Sequence, residues 1–142
     1  MTLRDIPAVK AEVEKIFATY EKALVENDVA TLDALFIHHP ATIRYGIAEN
    51  LYGIEAIQAF RAARSPAGLQ RRLERTVITT FGHNTAVAST LFYRDSQPGK
   101  VGRQQQTWIR TDDGWKIAAA HVSVIPDPDH PEPGKRATRR GS

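Results

Sequence analysis

The spacing of apolar side chains changes once along this chain, from intervals of three and four residues to intervals of two, and that switch limits the fold more than any other feature. Val9, Val13, Ile16, Phe17, Tyr20 and Leu24 form one stripe at helical spacing, because residues three and four apart share a face of an α-helix. They predict a long first helix, with Asp5 placed to cap it and Pro7 in its first turn. Asn27-Asp28 ends it, and Asp28 can cap a second, shorter helix that buries Leu32, Leu35 and Phe36. His39-Pro40 breaks that helix, and Thr42-Ile43-Arg44-Tyr45 reads as a short strand before Gly46. Gly53 opens a third helix from Ile54 to about Arg64, ended by Ser65-Pro66 and Gly68. From there the period is two: Arg75 to Phe81, Ala86 to Arg94, Val101 to Arg110 and Trp115 to Ile125 read as strands. The short polar and glycine-containing links between them predict consecutive antiparallel hairpins. Helices first and a strand meander afterwards predict an α+β domain, the long helix packed on one face of a curved sheet.

A chain of 142 residues holds one such domain. Its expected extent is residues 1–125, and residues 126–142 read as a disordered, proline-rich, basic tail with almost nothing to bury. The first seven residues hold no apolar run of signal-peptide length, and no stretch of about eighteen apolar residues occurs, so neither secretion nor a membrane association is expected. The absence of cysteine removes disulfides, thiolate nucleophiles and cysteine-bearing zinc sites, and it permits a cytoplasmic location. Net charge is unevenly spread: residues 1–52 carry five basic and eight acidic side chains, residues 53–110 nine basic and three acidic. That central excess suits a small anionic ligand as well as it suits nucleic acid. The Arg71-Arg72-Arg75 cluster lacks an accompanying aromatic recognition motif, so nucleic acid is not expected as a partner. No metal-ligand spacing, phosphate-binding loop, dinucleotide fingerprint or G-x-S-x-G nucleophile signal occurs, and neither metal nor cofactor is expected.

Three segments resemble the nuclear-transport-factor-two-like superfamily, which includes ketosteroid isomerases, SnoaL-type cyclases and binding-only members: Tyr20 to Asp28 with Leu32 and Leu35-Phe36, Ala41 to Gly46, and Gly114 to Ser123. The likeness covers about residues 8–125 and implies a cone-shaped curved antiparallel sheet wrapped around the long N-terminal helix, with two shorter helices. Within the superfamily the chain resembles the AtzH-like group, associated with amidases in ureide, oxalurate and s-triazine breakdown. The matching residues are Arg44-Tyr45-Gly46, Glu49 to Gly53, Phe60 to Arg64, Thr76 to Gly82, Gly102-Arg103-Gln104 and Gln106-Thr107-Trp108. The resemblance implies an enzyme cleaving a C–N bond of a small carboxylated ureide or amide, or alternatively a non-catalytic subunit that accompanies an amidase. Such proteins commonly pair through the sheet, so a homodimer or higher homo-oligomer is expected.

Tyr20 lies in phase with Phe17 and Leu24, so its ring is buried and its hydroxyl needs a partner. It is either a core tyrosine or, as the resemblance to ketosteroid isomerases implies, a hydrogen-bond donor into the cone, which in a ureide-cleaving enzyme would donate a proton as a catalytic residue. Arg44 stands near where those isomerases carry an acidic base; a guanidinium cannot accept a proton at neutral pH, but its planar fork suits a carboxylate. The alternative is an arginine snorkelling to solvent at a strand end. Ile57, Phe60, Arg61 and Arg64 share one helix face, so Arg61 and Arg64 reach solvent, pair with an acid such as Glu49, or meet a ligand. Asn50 and Tyr52 are expected in a loop at the pocket mouth. Gln104 and Gln106 share a strand face opposite Gln105; facing inward, they line a wet or ligand-filled cone, or they bond to a neighbouring subunit. His38 sits in the link before the Arg44 strand and is a substrate-binding candidate. His121 falls in phase with Trp115, Ile117 and Ala119, which places it on an apolar face.

Overall fold

The computed structural model describes residues 3–129. Helix α1 spans Pro7–Val25, α2 Val29–Ala34 and α3 Ile54–Ala63; strands β1 to β6 are Ile43–Tyr45, Asn50–Tyr52, Arg72–Phe81, Thr85–Tyr93, Lys100–Thr111 and Gly114–Pro126. One open six-stranded sheet in the order β2-β1-β6-β5-β4-β3 curves around α1. The period-two segments do form successive antiparallel hairpins, β3-β4-β5-β6. The sheet is extended by a β1-β2 hairpin whose β1 runs parallel to β6. No described helix is long and apolar enough to cross a membrane.

The helical stripe of α1 buries Val9, Val13, Phe17, Tyr20, Ala23 and Leu24. They pack with Leu32 and Phe36 of the α2 region, Ile57 of α3, and Trp108 and Ile117 of the sheet into one core. Asp28 caps α2 as its sequence predicts, its carboxylate accepting from the Thr31 N–H at 3.2 Å and the Thr31 hydroxyl at 2.7 Å. Asp5 does not cap α1. With Pro7 in the first turn, Ile6 takes the capping position and makes no side-chain cap. Asp5, a residue too early, instead exchanges bonds with Thr80: its N–H donates to the Thr80 carbonyl at 3.1 Å and its carboxylate accepts the Thr80 N–H at 2.9 Å.

Three further expectations change. Asn50–Tyr52 is an edge strand rather than a loop. Strand β3 starts at Arg72, and its ladder skips between Glu74 and Val77 where Arg75 takes φ 54°. In β6 the ladder passes from Ala119↔Thr107 to Ile117↔Trp108, leaving Ala118 unpaired as a bulge. One extra residue inverts the alternation. Trp115 and Ile117 therefore point inward, as do Ala120 and Val122 beyond the bulge, and His121 is exposed on the outer face.

Candidate functional site

At one end of the cone, strand β1, helix α3 and the end of β4 enclose a cavity of about 130 Å³. Its charged wall is Arg44, Glu49, Arg64 and Arg94, backed by Phe60, Leu69 and Val122. Arg44 points inward from β1 beside buried Thr42, as their shared strand face requires. Its Nη1 donates to Glu49 Oε2 at 2.9 Å, and its guanidinium carbon lies 5.4 Å from the centre of the Phe60 ring. Glu49 reaches back across the β1-β2 turn, its other oxygen accepting the Ala48 N–H at 3.1 Å. Gly46 makes that path possible, because a Cβ there would overlap the Glu49 carboxylate.

Arg64 ends α3 in an extended conformation. Among the described residues its Nη2 has a long contact to Asn27 Oδ1, 3.4 Å, and its Nε is buried without a partner. Burial lowers its pKa, and the neighbouring charges of Arg61, Arg44 and Arg94 push the same way. Arg94 follows β4, its guanidinium 4.9 Å from the centre of the Phe92 ring and its Nε likewise buried and unpartnered. Burial lowers its pKa too, followed by Arg71, with Glu21 opposing. Tyr20 is 4% exposed, edge-on to Trp108 at 6.4 Å. Its hydroxyl makes no hydrogen bond to a described residue, and it lies close enough to Arg64 and Arg94 to act on both electrostatically.

The remaining inward arginines are matched by acids. Arg61 pairs with Asp33 and stacks on Phe36 at 4.9 Å, not with Glu49. Arg71 gives Nε and Nη2 to the two oxygens of Glu21, each at 2.6 Å, and Nη2 also donates to Gln104 Oε1 at 2.9 Å. Gln104 and Gln106 both face inward, and Gln106 Oε1 accepts the Trp108 indole N–H at 3.0 Å. Four of the six buried side-chain polar atoms without a partner among the described residues are N–H donors: Arg64 Nε, Arg94 Nε, Gln104 Nε2 and Gln106 Nε2. A cone rich in spare donors is chemically matched to an acceptor-rich anion.

The structure thus gathers Arg44 and Arg64 at one cavity with Tyr20 close by, and puts Gln104 on the same inner sheet face. It does not bring the other candidates there. His38 is exposed, its Nε2 2.9 Å from the Asp33 carbonyl, and it lines a separate surface hollow with Lys116. Asn50 is exposed on the edge strand, and Tyr52 is 61% exposed with its hydroxyl 3.1 Å from that of Tyr45. Arg94 was missed although strand parity pointed to it: Ala86, Ala88, Thr90 and Phe92 all face inward, and Arg94 is next in phase.

Helices over a strongly curved, unclosed sheet define the cystatin-like fold found in nuclear-transport-factor-two-like proteins. A solved structure with that description, from Novosphingobium aromaticivorans, superposes with a TM-score of 0.64 at 17% identity, covering 94% of this chain and 88% of the other, and so supports the fold alone. The chain belongs to the AtzH-like family, whose profile matches residues 2–128. It is similar to a protein of unknown function from Pectobacterium atrosepticum SCRI1043, 55% identical over 88% of this chain and 99% of that one, TM-score 0.86. It is also similar to a cystatin-like fold protein from Burkholderia xenovorans LB400, 50% identical over 90% and 100%, TM-score 0.87. No curated protein matches the chain.

Proposed function

We propose that this protein is a small enzyme that hydrolyses a C–N bond of a carboxylated ureide or amide held in the Arg44 cavity. The observation that carries this reading is the charge of the cavity wall, three guanidiniums against the single carboxylate of Glu49. Because Arg61 and Arg71 have their own acids, the excess belongs to the cavity and calls for an anionic ligand. Arg44 and Arg64 hold a carboxylate group of the ligand, and the Tyr20 hydroxyl faces the departing nitrogen. In the reaction, water oxygen bonds the acyl carbon as the C–N bond breaks. The nitrogen takes a proton from Tyr20, the water proton restores the phenol, and the arginines offset charge on the acyl side. A carbamate product then loses carbon dioxide. Likeness to proteins that work beside amidases in ureide breakdown supports the same substrate class. The test is to incubate purified protein with a panel of N-carboxylated and oxamate-type ureides and to follow ammonia and carbon dioxide. Turnover of at least one is expected; binding of none, and release from none, by folded protein overturns the proposal.

A second reading, an accessory subunit of an amidase, is favoured by the exposed Tyr45, Ile47 and Tyr52 on the β1-β2 hairpin beside the cavity. It predicts ligand binding without turnover, and a complex with the amidase in sedimentation that Tyr52→Ala weakens.

A further inference from the structure

Arg94 has no acid partner among the described residues, yet it is not a loose surface side chain. Its position is prepared from beneath. Gly102 pairs with Phe92 across the β4-β5 ladder, and a Cβ at Gly102 would overlap the Phe92 ring, so the missing side chain is what lets the ring lie against the sheet. Two guanidiniums then approach that one ring, Arg71 at 4.6 Å and Arg94 at 4.9 Å from its centre. They differ in one respect. Arg71, 1% exposed in its side chain, has both oxygens of Glu21 and the Gln104 carbonyl, whereas the Arg94 guanidinium makes no ion pair or hydrogen bond with a described residue, and Glu21 acts on it only electrostatically. Instead Arg94 lines the Arg44 cavity with its Nε buried. Strands β1 and β4 are separated by two others in the sheet. In a flat sheet they would lie about 14 Å apart, so curvature is what carries both cations to one small space.

We propose that Arg94 is a binding residue of this cavity that takes a second anionic group of the ligand, and that Phe92, itself fixed by Gly102 and Arg71, is its positioning residue. Burial and the neighbouring charges of Arg71 and Arg44 disfavour the Arg94 cation, with Glu21 and Tyr20 opposing them and Arg64 on the same cavity wall, so an anion arriving in this partly dehydrated space is favoured. Contact with the Phe92 ring holds the guanidinium without using an N–H donor, so its donors stay available for two-point recognition of a carboxylate. Arg94 therefore discriminates between ligands with one carboxylate and ligands with two. This rests on the carboxylate-binding reading above.

The experiment is calorimetric titration of the full chain with malonate and with acetate as probes, in the parent, Arg94→Gln, Arg94→Lys, Phe92→Leu and Arg44→Gln. The parent is expected to prefer malonate by at least tenfold. Arg94→Gln should abolish that preference while acetate affinity stays within about twofold, and Arg94→Lys should restore only part of it. Phe92→Leu should fall between Arg94→Gln and the parent, because the arginine remains but its seat does not. If the folded Arg94→Gln protein keeps the parental preference while Arg44→Gln loses binding, the role of Arg94 is refuted and the carboxylate site stands. If the parent binds neither probe, the carboxylate reading and this inference both fall.

Discussion

Among the described residues Arg44 pairs with one acid, Glu49, through a single Nη, which leaves the rest of its fork available to a ligand. Arg44→Lys keeps the charge and removes the fork, so substrate use should weaken at least tenfold, about 1.4 kcal/mol or more. Tyr20→Phe removes a hydroxyl that bonds to no described residue. The variant should therefore keep its melting temperature and lose mainly catalytic rate, since the lost interaction belongs to the transition state. A fall in stability with unchanged rate would instead make Tyr20 a core residue. Glu21 behaves in the opposite way. Its removal strands the Arg71 guanidinium inside the fold, and Glu21→Ala should destabilise by about 3–5 kcal/mol, read as a lower midpoint in urea.

At the scale of elements, the strands were readable wherever alternation ran for several residues, as in β4, where Ala86, Ala88, Thr90 and Phe92 point inward in an unbroken series. Reading failed where one residue breaks the count. Ala118 shifts the phase of β6, so His121, in step with Ile117 by sequence, ends on the opposite face. Three-residue β2 is too short to show a period, and the parallel pairing of β1 with β6 joins segments more than seventy positions apart, beyond any local pattern. At the cavity, Arg44 and Arg64 were accessible from local spacing, whereas the Phe92 seat for Arg94 depends on a glycine in the neighbouring strand. The C-terminal boundary also moves. Strand β6 continues through Pro126, and Asp127, 2% exposed, donates its N–H to the Gly99 carbonyl at 2.9 Å. Residues 130–142, where most of the expected tail falls, lie outside the described residues. A chain ending at Asp129 should melt with the full-length protein, whereas one ending at Pro126 should melt several degrees lower by differential scanning fluorimetry, because it loses a buried anchor at the strand end.

For the whole molecule, curvature gives the two faces of the sheet different tasks. The inner face is filled by α1 and the cavity, while the outer face presents a hollow of about 630 Å³ lined by Val77, Leu91, Arg75, Arg103, His121 and Ser123. Part of that face is already internally bonded: Gln105 donates to Ser89 at 3.0 Å and Arg103 to Ser123 at 3.1 Å. Val77 is not covered, at 59% exposure in the middle of a strand, where a β-branched apolar side chain normally packs on something. A second copy laid face to face would cover Val77 and Leu91 and leave the polar ladders to bond across or to water, a composition ordinary for a homodimer interface. We therefore expect an oligomer, most simply a two-fold dimer, formed through this face. Light scattering at micromolar concentration should give at least twice the 15.8 kDa chain mass. Val77→Asp would place two like charges near the two-fold axis, so it should shift the population towards single chains without changing the far-ultraviolet dichroism. A parent protein that scatters as a single chain rules the dimer out, and a Val77→Asp protein that still pairs at parental strength moves the contact to another surface, of which the exposed Tyr45 and Tyr52 hairpin is the first to examine.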